Sequence, residues 1–191
     1  MKSKEVIDLL EWSGAILKGH FKLTSGRHSD TYIEKFRLLE NPIALDKICS
    51  SIADKYKDTD VNLVVSAAIG GILIAGGVGR HLNVKHIFSE RDNSGNMIFK
   101  RGFTINKNDK ILIVEDIVTT GGSINELIDI VESYSGEIVG IASIVDRNDK
   151  ESIFKYSYET LLNFPVKSWE ENNLPEHLKN LSIIKPGSTG K

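Results

Sequence analysis

Glu115 and Asp116 stand side by side directly after the aliphatic run Ile111-Leu112-Ile113-Val114, and two residues later the chain enters Thr119-Thr120-Gly121-Gly122-Ser123. Adjacent carboxylates accept hydrogen bonds from vicinal hydroxyls. A turn of hydroxyls, glycines and successive backbone N–H groups donates to an anion without Cβ obstruction. Acceptors beside an anion cradle suit a ribose 5-phosphate. The short, β-branched aliphatic run predicts a strand buried on both faces, which is the pattern of a central parallel strand. The acidic pair then sits at the strand's carboxyl end, where open α/β sheets bind ligands. Ser123 to Val131, apolar at 124, 127, 128 and 131, predicts a helix whose N-terminus faces the phosphate. A lone Glu-Asp pair or a lone Thr-Gly-Gly-Ser turn is ordinary structure, so the ordered array carries the functional reading. A P-loop is ruled out by the missing Gly-Lys-Ser/Thr ending.

The elements that must hold this array follow from periodicity. Glu5 to Trp12, with Val6, Leu9 and Leu10 on one face, predicts a short amphipathic helix ending at Gly14. Ala15 to Asp30 crowds together Lys18, His20, Lys22, Thr24, Ser25, Gly26, Arg27, His28 and Ser29. It reads either as an anion-contacting stretch or as a solvated loop. Pro42 to Tyr56 predicts a helix with Asn41 as cap and Pro42 at its first position. Asn62 to Val65 is a strand, Ser66 to Gly71 a small-residue loop and Ile72 to about His81 an apolar helix, a second strand-loop-helix unit open to a ligand. Val84 to Phe88 is the next strand, Asn96 to Phe99 extends again, and Ser89 to Gly102 reads as a mobile arm. Ile138 to Val145 is a strand ending in Asp146-Arg147-Asn148-Asp149. Tyr156 to Leu162 reads as strand, Pro175 to Lys179 as a helical turn, and Lys185 to Lys191 as a frayed tail. Strands alternating with helices imply an α/β fold with a central, mostly parallel sheet flanked by helices.

Bulk properties set limits. The 191 residues fit one domain, divided into an N-terminal segment of about 1–40, a core of about 41–149 and a C-terminal extension of about 150–191. A formal charge of −2 gives no general attraction to nucleic acid or to an anionic membrane. Any phosphate affinity is therefore local. One cysteine, Cys49, excludes an internal disulfide and a cysteine metal cluster, and its place in the Ile43 to Ile52 stretch predicts a buried helix residue. The first residues lack the apolar core of a signal peptide and no run approaches a membrane span, which makes a cytoplasmic location the expectation.

The array Glu115 to Ser123 resembles the phosphoribosyl-diphosphate (PRPP) motif of the type I phosphoribosyltransferases. The resemblance implies their fold, with a small hood and a mobile catalytic arm. It implies that Glu115 and Asp116 hold the ribose 2- and 3-hydroxyls, that Thr119, Thr120, Gly121, Gly122 and Ser123 cradle the 5-phosphate, and that Ile69, Gly70 and Gly71 form the pyrophosphate loop. Leu23 to Tyr32, with Gly19-His20-Phe21 before it and Val145-Asp146-Arg147 later, is similar to signatures of the orotate phosphoribosyltransferases. That similarity makes Thr24, Ser25, Gly26, Arg27, Thr119 and Arg147 the orotate-binding set. Arg147 is the planar cation expected for orotate's carboxylate, and its alternative role is a surface pair with Asp146 or Asp149. Arg91, Lys100 and Arg101 would carry the arm's charge and act in catalysis with Asp116.

Three positions depart from the best-known form of that family. Thr24 stands where a lysine precedes Ser-Gly-Arg, Gly70 where the loop carries a lysine, and the short arm has no histidine. Lys22, Arg27 and Arg91 are then the candidate pyrophosphate cations. The resemblance also implies Mg²⁺, held mainly by PRPP itself with no certain protein ligand, and a homodimer with shared sites. Two rivals remain at this level: a purine-base transferase of the same fold, and a PRPP-sensing regulator, which would be expected to carry a basic face or a DNA-binding segment.

Overall fold

The computed structural model describes residues 1–148 and 154–186. Helix α1 (Ser3–Trp12) leads into β1 (Ile16–Lys22) and β2 (His28–Ile33), then α2 (Lys35–Leu39), α3 (Pro42–Tyr56), β3 (Leu63–Ala67), α4 (Gly70–Leu82), β4 (Lys85–Arg91) and β5 (Met97–Phe99). The second half carries β6 (Lys110–Val118), α5 (Gly122–Ser133), β7 (Glu137–Asp146), β8 (Tyr158–Asn163), α6 (Glu176–Lys179) and β9 (Ile183–Ile184). The main sheet has six strands in the order β5-β4-β3-β6-β7-β8, parallel except for β5, which pairs antiparallel with β4. β6 sits inside it, as a run of consecutive aliphatics requires.

Period-two alternation sorts the strand side chains onto two cores. Val64, Leu112, Val114 and Ala142 face α1, α3 and α4, while Leu63, Val65, Ile111, Ile113 and Ile141 face α5. Ile111, Leu112, Ile113 and Val114 have no solvent exposure, and each such side chain contributes about 1.5–3 kcal/mol by its burial. This makes β6 a rigid rail for the residues that follow. On the first core's face α3 and α4 pack so closely that a Cβ at Gly77 would lie 2.3 Å from Cys49 Sγ. Cys49 is fully buried, as expected, and burial pushes its thiol up to about 12. The Asn41 carboxamide accepts from the backbone N–H groups of Ile43 and Ala44, the expected cap of α3.

The structure corrects two local expectations. Ala15 to Asp30 is not a solvated loop: β1 and β2 form an antiparallel hairpin with a register shift between Lys18 and Phe21. His20, His28 and Ser29 are buried in it. Their polar atoms are met from far along the chain, with His20 Nδ1 on the Leu181 carbonyl at 3.2 Å and Ser29 Oγ donating to the Lys167 carbonyl at 2.8 Å. β9 completes this small sheet by pairing with β1. The strand carrying the acidic pair also runs on to Val118, so Glu115 and Asp116 lie within its last turns of pleat and not beyond its end. β6 stays paired there with β7, through Glu115–Ser143 and Val118–Asp146. Asp149 and residues 187–191 of the expected tail lie outside the described residues.

Candidate active site

The carboxyl ends of three neighbouring strands build the site. After β6 the chain turns through Thr119 and Thr120 into Gly121, whose φ of +76° is the left-handed conformation that favours glycine, and α5 begins at Gly122. No side chain caps α5, so the first-turn N–H groups of Gly122, Ser123 and Ile124 are left for a ligand. With Glu115, Val118, Thr119 and Thr120 they line a cleft of about 70 Å³, several times the ~10–15 Å³ that holds one water. A much larger groove between α1 and α3, lined by Leu9, Trp12 and Ile43, contains none of these residues.

Both carboxylates are buried, Glu115 at 9% exposure and Asp116 at 3%. Glu115 Oε1 accepts from the Asp116 backbone N–H at 2.9 Å and Asp116 Oδ1 from that of Ile117 at 2.7 Å. Burial, and then the neighbouring Asp116 charge, hold the Glu115 carboxyl above the usual carboxylate range. Asp116 Oδ2 accepts no hydrogen bond and instead faces the Lys35 ammonium at 2.7 Å, off the hydrogen-bonding angle. The loop after β3 reaches the same oxygen, since a Cβ at Gly70 would fall 1.9 Å from it. Position 70 must be glycine for the approach to exist.

Arg147 follows β7, its backbone N–H donating to the Val118 carbonyl at 2.9 Å. It is half-buried, and among the described residues its Nε has no partner. Asp146 is occupied by Asn148, which donates to it from its backbone and side-chain nitrogens, both at 2.8 Å. The surface pair with Asp146 is therefore absent, and Asp149 is not described. Burial lowers the Arg147 pKa, while Tyr32 nearby works the other way. Burial raises the Tyr32 phenol, and the charges of Lys35, Arg147 and Asp116 all reach it. The Tyr32 phenol near the end of β2 thus lies within electrostatic reach of Lys35, Asp116 and Arg147, and Lys35 and Asp116 are in direct contact.

The sequence and the fold match known proteins. A family model described as the phosphoribosyl transferase domain fits residues 37–180. The chain is 43% identical to the orotate phosphoribosyltransferase of Chlorobium phaeobacteroides over 98% of this chain and 97% of that one. It is 39% identical to that of Desulforamulus reducens, over 98% of each. The chain belongs to the orotate phosphoribosyltransferase family. The crystal structure of orotate phosphoribosyltransferase from Aeropyrum pernix superposes with a TM-score of 0.71 over 83% of this chain and 93% of that one, at 21% identity, a likeness of fold. The type I phosphoribosyltransferase fold is the one the sequence implied.

Within this phosphoribosyltransferase the expected residues divide. Glu115 and Thr119 to Ser123 come together around the cleft, whereas Asp116 points to the other face of β6, where Gly70 and Lys35 meet it. Gly71 packs beside Gly70, where a Cβ would meet Ser66 at 2.9 Å, and Ile69 before it is 73% exposed. Thr24, Ser25 and Gly26 form the exposed tip of the β1–β2 hairpin, at the opposite end of β2 from Tyr32. Arg27 is engaged elsewhere, its Nε on Ser168 Oγ at 2.9 Å and its Nη1 on Glu170 at 3.2 Å. Lys22 pairs with Glu171 at 3.3 Å. The segment expected as an arm is a β4–β5 hairpin. In it Arg91 holds Glu126 of α5 at 2.8 and 2.9 Å, Arg101 holds Glu90 and Lys100 donates to the Arg91 carbonyl. Sequence reasoning quoted Tyr32 only as the end of a signature, with no site role, and missed Lys35. The signal was present in Tyr32-Ile33-Glu34-Lys35, which continues β2 into a helix start, but it lay just past the stretch singled out for its charge.

Proposed function

We propose that the chain transfers the 5-phosphoribosyl group of PRPP to orotate, giving orotidine 5'-monophosphate and pyrophosphate in pyrimidine biosynthesis. The observation that carries the orotate assignment is Arg147, a half-buried guanidinium with a free Nε beside the strand of the acidic pair. A desolvated guanidinium whose Nε is unpaired among the described residues favours a bound carboxylate, and its planar fork donates two hydrogen bonds to one. Glu115 and Asp116 take the ribose 2- and 3-hydroxyls. Thr119, Thr120, Ser123 and the first-turn amides of α5 take the 5-phosphate. Thr24, Ser25, Gly26 and Arg27 are proposed for the orotate side on the family resemblance alone, since their hairpin tip lies at the far end of β2 from Tyr32 and Arg27 is held by Ser168 and Glu170, and Ile69, Gly70 and Gly71 are proposed for the pyrophosphate side at the start of α4.

Fixing the ribose by its hydroxyls and phosphate at once holds C1 toward the base, so positioning supplies much of the rate. Positive charge develops on the sugar ring as the diphosphate departs, and the buried carboxylates stand on the ribose side of that charge. Arg91, Lys100 and Arg101 are proposed to act on the leaving group when the hairpin closes, which requires exchange of their present partners Glu126 and Glu90.

The described residues hold no cluster of three or more His, Cys, Asp or Glu that could bind a metal by themselves. Because Asp116 Oδ2 is already paired with the Lys35 ammonium, a Mg²⁺ would be held mainly by the diphosphate itself, with Glu115 and Asp116 nearby, and would supply positive charge against the phosphate oxygens. A homodimer with shared sites and a cytoplasmic location complete the proposal, and no helix among the described residues is long and apolar enough to cross a membrane. The test mixes purified protein with PRPP, Mg²⁺ and orotate and follows loss of orotate absorbance, with adenine, hypoxanthine, guanine and uracil tested in parallel for pyrophosphate release. Turnover with orotate alone is expected. Turnover with a purine base would overturn the role of Arg147, and silence with every base would overturn the catalytic reading.

A further inference from the structure

Lys35 opens α2 and sends its ammonium to within 2.7 Å of Asp116 Oδ2, an oxygen with no hydrogen bond of its own. The lysine side chain is 36% exposed while the Asp116 side chain is 4% exposed. One member of the pair is fixed in the sheet and the other can move. The Lys35 Cε stands 3.4 Å from where a Cβ of Gly70 would be, over the first turn of α4, which no side chain caps. Position 70 is where the family resemblance leads one to expect a loop lysine, and here that space is filled by the Lys35–Asp116 pair. The other candidate cations, Lys22, Arg27 and Arg91, are paired with Glu171, Glu170 and Glu126.

We propose that Lys35 is the catalytic cation that replaces the missing loop lysine, held by Asp116 in the free protein and handed to the diphosphate when PRPP binds. This rests on the reading of the site as a PRPP site. In the free protein the ammonium neutralises a buried carboxylate. When the ribose hydroxyls donate to Asp116 they take over part of that role, and the ammonium reaches phosphate oxygens above the uncapped end of α4. The C1–O bond then breaks with its electron pair leaving on pyrophosphate. The base nitrogen's pair forms the C1–N bond, and the proton from that nitrogen passes to pyrophosphate or water. Lys35 stays an ammonium throughout and counters charge that grows on the leaving group.

The test compares wild type, Lys35→Met and Lys35→Arg by calorimetric binding of PRPP and of ribose 5-phosphate, and by turnover with orotate. Lys35→Met should weaken PRPP binding and lower kcat, each by about 10- to 100-fold, the effect of one charge-assisted contact. It should leave ribose 5-phosphate bound as well as in the wild type or better, because Asp116 no longer has to part from its cation. Lys35→Arg should restore most of the loss. Parallel weakening of both ligands would reduce Lys35 to a support for Asp116 and overturn the proposal, as would unchanged PRPP affinity. Should Lys35→Met fail to fold, Asp116→Asn gives the converse test: it frees the ammonium and should tighten inorganic pyrophosphate binding measured without Mg²⁺. No gain there would equally overturn it. The two failures are separable, since a wild type that binds neither PRPP nor ribose 5-phosphate would sink the PRPP reading itself.

Discussion

Removing the side chain of Arg147 should separate binding from stability. In the folded protein the guanidinium is half-buried with its Nε unsatisfied among the described residues, and such a donor costs about 1–3 kcal/mol relative to water. Arg147→Ala removes that cost and loses the packing of the partly covered stem, about 0.8 kcal/mol for each fully buried methylene. The two nearly cancel. For a domain of this size 1 kcal/mol moves Tm by about 2–4 °C, so the variant should melt within about 4 °C of wild type or above it. Orotate binding should suffer far more. Two charge-assisted hydrogen bonds to a carboxylate are worth about 1.5–3 kcal/mol each, and the lower end, about 3 kcal/mol in all, raises the orotate KM about 100-fold. The assay is steady-state loss of orotate absorbance with orotate varied at saturating PRPP, alongside a thermal melt. Equal rises in the KM of orotate and PRPP, or a fall in Tm well beyond 4 °C, would refute the argument by making Arg147 a structural residue.

Three further perturbations test other parts of the site. Asp116→Asn should abolish turnover through lost ribose contacts, and unchanged kinetics would dismiss the motif assignment. Glu115 binds its proton more tightly folded than unfolded, so its protonated form contributes stability that is complete below the ordinary glutamate pKa and is lost as pH rises through the raised folded value. Glu115→Gln should therefore flatten the fall of Tm with rising pH, and an unaltered Tm–pH profile would mean that the burial is relieved some other way. Arg91→Ala should lower kcat and leave Tm nearly unchanged, because its pair with Glu126 is half exposed; a large loss of Tm would show that the pair is structural.

The parts of the fold legible in the sequence were those written in local patterns. Ile111 to Val114 named the central strand, Asn41-Pro42 fixed the start of α3, and the order from Glu115 to Ser123 predicted the cleft. The β1–β2 hairpin was hidden because its inward residues include His20, His28 and Ser29, which look like surface residues until their distant partners are known. His28 exchanges backbone hydrogen bonds with Trp169 at 2.7 Å, a contact no window along the chain contains. α2 is five residues long, too short for helical periodicity to register, and so Lys35 passed unnoticed. The acidic pair was placed at a strand end because it directly follows the aliphatic run Ile111 to Val114. Here β7 continues to pair with β6 past both carboxylates, which shields them from water and gives Asp116 its need for a cation.

The small sheet joins distant parts of the chain: His20 of β1 contacts a carbonyl 161 residues downstream, and β9 pairs beside it. Closing a loop of that length costs chain entropy that the contact itself must offset. β2 carries Tyr32 and leads straight into Lys35, so whatever loosens β9 or the His20 contact loosens the support of both. The cleft at the start of α5 is lined by Glu115 and residues 117–124 alone and shares none of that dependence. Cutting the chain before Leu181 should therefore disturb the Lys35–Asp116 pair while leaving the cleft in place.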